Sequence, residues 1–174
     1  MKIFLTGSNG YIGGNFLKKA ILKGHKIFAL TRRKKNKKVK NVKWLVGPIE
    51  KNWSELGKSD ILVHLATEGG YEKYPHFKKC YNFNVLKSKK LIINAYNAGC
   101  KKFLIISSKK EKSFRNFSIN KKKIKNYETK PDYIYGFTKA IFSKFCINFS
   151  KNKNVKFSII RLFHVYGRNE KKSR

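Results

Sequence analysis

The hydrophobic positions of this chain follow two alternating rhythms. Short, nearly unbroken apolar runs read as six strands: "KIFLT" (2–6), "HKIFALT" (25–31), "VKWLV" (42–46), "DILVHLA" (60–66), "KFLIIS" (102–107) and "KFSIIRL" (156–162). Between some of them the apolar residues recur at helical spacing. Ile12, Phe16, Leu17, Ala20 and Ile21 define a helix from about Tyr11 to Lys23, with Gly24 as its C′ cap. Further helices are expected from about Phe83 to Ala98, closed by Gly99, and from about Asp132 to Ser150. Continuously apolar strands suit a sheet covered on both faces, so the alternation predicts an α/β fold with a doubly wound parallel sheet. Residues 33–41 and 109–130 are lysine-rich with little apolar periodicity, and read as solvated loops, the second one long and exposed. The pattern shows no internal repeat and no clean domain boundary.

Composition changes this picture little. A chain of 174 residues, 41% apolar and 14% aromatic, is expected to form one domain with a real core. The charge is lopsided, 42 Lys+Arg against 9 Asp+Glu, a net +33. Such an excess attracts phosphate backbones, anionic membranes or acidic substrates. Only six of the 42 are arginine, however, which leaves 36 lysines among many Asn, Ile, Phe and Tyr. That mixture matches the residue usage of an AT-rich genome, and a dedicated nucleic-acid reader is expected to use more arginine forks. Nucleic acid is therefore a disfavoured partner, with polyanion or RNA binding kept as an alternative. Cys80, Cys100 and Cys146 are scattered, without metal-ligand spacing, as expected of free thiols in a reducing compartment. No apolar run reaches 18 residues, and the N-terminal one is too short for a signal peptide. A cytoplasmic protein with no membrane span is expected.

The chemistry begins at "TGSNGYIGG" (6–14), placed between the first strand and the first helix. Gly7 permits a tight turn, Gly10 lets a pyrophosphate approach the backbone, and Gly13 lets the helix lie close to the sheet. The bound pyrophosphate then sits at the positive end of the helix dipole. A glycine-rich turn that binds nothing is the bland alternative, but strand, loop and helix agree here on a dinucleotide site.

The spacing is GxxGxxG, and with it the chain resembles the extended short-chain dehydrogenase/reductases, the NAD(P)-dependent sugar-nucleotide epimerases, dehydratases and ketoreductases. Further phrases match in order: "DILVHLAT" (60–67), "NVLKSKKLIINAYNAGCKKFLIISS" (84–108), "YGFTK" (135–139) and "RLFHVYG" (161–167). The resemblance implies a Rossmann-type NAD(P)-binding domain over 1–167, followed by a short basic tail, 168–174. It implies cofactor contacts from Gly7, Gly10, Tyr11, Ile12 and Gly13, and from Leu65, Ala66 and Thr67 beside the fourth strand. Where an acidic residue would read the adenosine ribose, this chain has Thr31, Arg32 and Arg33. Arg32 could pair with a 2′-phosphate, which favours NADP over NAD. Where the family usually has Gly-Asp after the third strand, Gly47-Pro48 stands instead, so the adenine contact is expected to be lost.

A tyrosine with its ordinary pKa of about 10 is a poor base at neutral pH. A lysine four residues later lies on the same helix face, where its ammonium lowers the phenol's pKa and also reaches the nicotinamide ribose. A nearby serine hydroxyl can bond the substrate oxygen. Ser108, Tyr135 and Lys139 are the candidates for these catalytic roles, Tyr135 and Lys139 touching cofactor as well. Tyr-x-x-x-Lys alone is weak, since nine tyrosines and 36 lysines yield about two matches by chance. Two occur, "YPHFK" (74–78) and "YGFTK" (135–139). Only the second sits on an expected helix, 27 residues after a serine that ends a strand.

Dehydratases of this kind carry an Asp-Glu pair after the strand-five hydroxyl. Here Lys109 and Lys110 follow Ser108, which favours ketoreduction or epimerisation of a nucleotide sugar. His164 stands where the family usually has Asn and is the candidate substrate contact. Relatives continue well past the "VYG" phrase, where this chain has seven residues. The expectation is a truncated form lacking the substrate-binding half, completed by a complementing C-terminal half where it is active, with a homodimer as a further candidate assembly. The alternative is a remnant that binds cofactor without turnover.

Overall fold

A computed structural model describes residues 1–33, 38–70, 76–114 and 131–167, with side chains from 133 onward in the last segment. The six expected strands are present: β1 (Lys2–Thr6), β2 (Lys26–Thr31), β3 (Val42–Val46), β4 (Ile61–His64), β5 (Lys102–Ser108) and β6 (Lys156–Leu162). They form one sheet, every neighbouring pair parallel, in the order β3-β2-β1-β4-β5-β6. That is a doubly wound Rossmann arrangement, and its order reverses between β1 and β4.

Helix α1 (Tyr11–Leu22) crosses from β1 to β2, and Gly24, at φ +74°, ends it. Between β4 and β5 the helical run starts earlier than the sequence predicts. It opens as α2 (Phe77–Tyr81), widens into a π segment over Asn82–Lys87, and continues as α3 (Ser88–Asn97). The first turn of that run, "FKKCY", is too short and lysine-rich to show helical periodicity by itself. Helix α4 (Pro131–Lys153) leads into β6.

Both sheet faces carry core. One cluster joins Phe4, Leu62, Phe103 and Ile105 to Leu91, Ile92 and Phe142, and the other joins Ile3, Leu5, Ile27 and Val63 to Leu17 and Ala20 of α1. Burial on both faces is why β1 reads as an unbroken apolar run. Cys80, Cys100 and Cys146 are buried and form no disulfide. No helix among the described residues is long and apolar enough to cross a membrane.

The exposed loop expected over 109–130 needs correction at its start. Lys109–Phe114 forms a 3-10 turn in which Glu111 and Phe114 are buried. Lysines on either side mask these two residues in a composition reading. The rest of that loop, together with 34–37, Tyr74 and the basic tail, lies outside the described residues.

Candidate functional site

The carboxyl ends of all six strands open into one cleft of about 1120 Å³. It lies at the reversal of strand order, where open α/β sheets bind ligands. Gly7, Gly10, Tyr11, Ile12 and Gly13 line it from the β1 side, and Leu65, Ala66 and Thr67 from β4. Arg32 lines it beyond β2, while Ser108, Tyr135, Lys139 and His164 do so at the β5–β6 end. Every residue singled out from sequence for catalysis, cofactor or substrate therefore faces the same cleft.

The glycine loop is fixed by close backbone approach. Gly7 has φ +77°, and a Cβ there would lie 2.6 Å from the Ala66 nitrogen. A Cβ on Gly13 would lie 2.0 Å from the Gly7 carbonyl oxygen, so α1 begins tightly against its own loop. Side chains at either place would force the loop open. The N-cap of α1, Gly10, contributes no side-chain bond, and no acidic residue occupies the first turn. The positive dipole end of α1, with neither a side-chain cap bond nor a first-turn acid, thus suits an anionic ligand. Asn9 Nδ2 donates to Thr31 Oγ1 at 2.6 Å, tying the loop to β2. These features fit a dinucleotide's diphosphate.

Beneath the cleft floor lies His64, fully buried. Its Nδ1 is 2.7 Å from Thr6 Oγ1 and its Nε2 3.0 Å from Ser88 Oγ. Ser88 spends its hydroxyl proton on the Phe83 carbonyl at 2.8 Å, so Nε2–H is the donor to Ser88 and Nδ1 accepts from Thr6. Burial, then the charge of Lys139, pushes the imidazole pKa down to about 3, so it is neutral.

Asn84 is the organising residue that the sequence reading missed. Its Oδ1 accepts from the Glu68 N–H at 2.9 Å and from Thr67 Oγ1 at 3.1 Å. Its Nδ2 donates to the Glu68 carbonyl at 2.9 Å and to Thr138 Oγ1 at 3.1 Å. Thr138 in turn donates to the Tyr135 carbonyl at 3.0 Å. One amide thereby joins the β4 loop to the turn of α4 that carries Tyr135. It sits in the π segment, a distortion that often marks functional sites. The available signal was a polar residue inside the apolar phrase "FNV".

Tyr135 is half-buried and packs over Gly70, where a Cβ would lie 3.5 Å from its ring. Lys139, one turn later, is only 3% exposed. Burial lowers its ammonium pKa to about 8, against the opposing influence of Cys146 and Glu111. Ser108 ends β5, and its Oγ accepts the Lys110 N–H at 3.3 Å. Gly136 is a second residue the sequence reading passed over. A Cβ there would lie 2.5 Å from the Lys110 carbonyl oxygen, so only glycine lets α4 approach the turn after β5.

A buried polar network holds that turn. The Glu111 carboxylate accepts from Ser107 Oγ, from Ser143 Oγ at 2.7 Å and from Arg161 Nε of β6. On the cleft side, Lys109 Nζ donates to His164 Nε2 at 2.7 Å. Across the cleft, Gly47, Pro48 and Ile49 line the wall beyond β3, and Glu50 follows them. Glu50 Oε1 is 2.7 Å from Lys87 Nζ, while its Oε2 is shielded from solvent without a hydrogen-bond partner. Burial works to raise its pKa, but the bond and charge of Lys87 outweigh it and hold it below the ordinary value. A carboxylate therefore lines this wall even though no aspartate follows Gly47.

No curated protein matches the chain by sequence. Solved structures do match by fold. UDP-N-acetylglucosamine 4-epimerase from Bacillus cereus superposes with a TM-score of 0.76 at 23% identity, covering 98% of this chain and 58% of that one. UDP-glucuronic acid 4-epimerase from Bacillus cereus, in complex with NAD, gives 0.75 at 19% identity, covering 100% and 59%. UDP-glucose 4-epimerase from Thermotoga maritima, with UDP-glucose, gives 0.66 at 19%, covering 92% and 55%. The chain thus spans little more than half the length of these structures. The model of the family described as "NAD dependent epimerase/dehydratase family" matches residues 3–174. That span takes in the glycine loop, the buried lysine behind Tyr135 and all six strand ends of the cleft, and on it the chain belongs to the NAD dependent epimerase/dehydratase family.

Proposed function

We propose that this chain works as an NAD(P)-linked sugar-nucleotide ketoreductase or epimerase, with Ser108, Tyr135 and Lys139 as its catalytic residues. The supporting observation is their convergence. Three residues from β5 and α4 line one cleft with a glycine loop from β1, although more than 90 residues separate them in sequence.

The nicotinamide, when bound, exchanges hydride with the sugar carbon. The chain's residues manage the oxygen on that carbon. Ser108 Oγ, already accepting the Lys110 N–H, retains its proton to donate to the sugar oxygen. Tyr135 moves the proton on or off that oxygen. Lys139, where charged, stabilises the phenolate through its ammonium, the more strongly because its surroundings are dry. Lys109 and Lys110, in place of an Asp-Glu pair, speak against dehydration. At the far end Arg32, exposed beside the cleft, is the group that would pair with a 2′-phosphate, so NADP is the preferred cofactor in this reading. The expected setting is the cytoplasm, and the working assembly a homodimer or a pair with a complementing chain.

A thermal melt with and without NADPH or NADH tests the first half of this reading. At 100 times its dissociation constant a ligand adds about 2.7 kcal/mol to a folded binder. The expected result is a cooperative melt with a clear upshift, larger for NADPH. A cooperative melt that neither cofactor moves would overturn the cofactor assignment. Tyr135→Phe tests the second half: turnover should fall at least a hundredfold while the cofactor upshift stays, and unchanged turnover would remove Tyr135 from the mechanism.

A further inference from the structure

We infer that the Lys109–His164 pair is a specificity element for a nucleotide sugar whose ring carries a carboxylate close to the reacting carbon. This inference rests on the function proposed above and names the substrate class of that site.

Lys109 is the residue immediately after Ser108, so its ammonium works within one side-chain length of the substrate oxygen that Ser108 would hold. It lines the cleft, as does His164 from the segment after β6. Their 2.7 Å contact makes Lys109 the donor and His164 Nε2 the acceptor, which leaves two ammonium N–H groups and the Nδ1–H on offer. No carboxylate among the described residues pairs with Lys109. Both glutamates lining the cleft are engaged elsewhere: Glu50 with Lys87 at 2.7 Å and Glu68 with Lys79 at 2.9 Å. Glu111, two residues away, is buried under the turn and committed to Arg161. A cation without a counter-charge among the described residues, facing a cleft beside the catalytic serine, is arranged to receive a ligand's anion.

The cofactor's own diphosphate is the wrong anion for this place. It belongs over the glycine loop at β1, and β5 stands two strand spacings away, about 10 Å. The remaining anions are a substituent on the sugar ring and the diphosphate of the nucleotide sugar. The adjacency to Ser108 selects the ring substituent.

The test is binding by calorimetry to the NADPH-loaded chain, with glucose and glucuronic acid each as their UDP and dTDP conjugates, and with UDP and dTDP alone. Wild-type protein should bind one glucuronic acid conjugate about tenfold more tightly than the matching glucose conjugate, the usual worth of one charge-assisted hydrogen bond. Lys109→Met should bring that ratio to near one, and Lys109→Arg should keep it above three. Binding of UDP or dTDP alone should not respond to Lys109→Met. Equal binding of both sugars by wild-type protein would overturn the inference while leaving the proposed function standing. So would an equal loss of UDP or dTDP affinity in Lys109→Met, which would assign the cation to the nucleotide's diphosphate. If neither sugar binds although NADPH still raises the melting temperature, the nucleotide-sugar reading itself falls, and this inference with it.

Discussion

The two ends of the cleft are built by different means. At the β1–α1–β2 end the geometry is made by backbone: Gly7 in a left-handed conformation, Gly13 with no room for a Cβ, and an uncapped helix N-terminus. At the β5–β6 end, apart from the close approach of Gly136 to the Lys110 carbonyl, it is made by side chains: Glu111 gathering Ser107, Ser143 and Arg161, and Lys109 meeting His164. A site made of glycines tolerates almost no substitution at those glycines and is indifferent to most neighbours. A site made of polar side chains can be retuned one residue at a time, at the risk of leaving a buried charge alone. The first end suits a cofactor of constant shape, the second a substrate that differs between related enzymes.

The sharpest way to break this contrast is Gly13→Ala. The added carbon would start 2.0 Å from the Gly7 carbonyl oxygen, and both partners are backbone, so loop and helix must separate. Cofactor affinity should drop at least a hundredfold, read as loss of the melting upshift with NADPH. Gly24→Ala is the control. Unlike Gly13 it has a positive φ, +74°, but nothing lies within 4 Å of its Cβ, so only about 1 kcal/mol of backbone strain is expected and the upshift should survive. If Gly13→Ala keeps its cofactor response, the loop is a turn and not a binding device.

The same test at the other end uses Glu111. Glu111→Ala leaves Arg161 and two buried serines without their acceptor and should destabilise the fold by about 3 kcal/mol in a denaturant melt. Glu111→Leu combined with Arg161→Met should recover most of that loss, because replacing a buried pair together avoids the orphaned charge. A double variant no more stable than Glu111→Ala alone would show that the carboxylate is needed by the serines and not by Arg161.

This contrast also explains what was legible in the sequence. Strand periodicity, Gly24 as a helix cap and the glycine loop are local patterns, so "KIFLTGSNGYIGG" announces both a strand and a site. Val42–Val46 and Lys156–Leu162 were predicted to the residue for the same reason. The second half depends on contacts distant in sequence. Nothing local marks Glu111 as buried, since lysines surround it, and its partner Arg161 lies 50 residues away. Asn84 reaches across 54 residues to Thr138. Gly136 resembles filler inside "YGFTK" until the Lys110 carbonyl is seen against it. Glu50, likewise, lines the wall where the expected Gly-Asp is missing, two residues past the position of the expected aspartate.

The most gradual effect expected separates the two ends by pH. His64, on the β4 floor beside the glycine loop, has its pKa lowered from 6.5 to about 3, chiefly by burial. Below about pH 6.5 the unfolded chain gains a proton there that the folded chain refuses until about pH 3. Its contribution to stability is therefore complete above 6.5 and is lost as pH falls through that window. Lys139, at the proposed catalytic end, has its pKa lowered by burial from 10.5 to about 8. Between those values the folded chain has released a proton that the unfolded chain still holds, so this group makes stability rise with pH from about 8 to 10.5. Each slope is at most about 1.4 kcal/mol per pH unit. In denaturant melts, Lys139→Met should flatten the alkaline rise and shorten the acid limb only slightly, since burial and not the Lys139 charge is the chief cause of the His64 shift, while His64→Gln should flatten the acid limb and leave the alkaline rise. Bound NADPH should discriminate further, because a cofactor seated against Lys139 adds charge and dryness there and leaves the imidazole, closed in by Thr6 and Ser88, as it was. An alkaline slope that NADPH does not change would mean that Lys139 does not touch the cofactor, and Tyr135 would lose its partner in the proposed proton transfer.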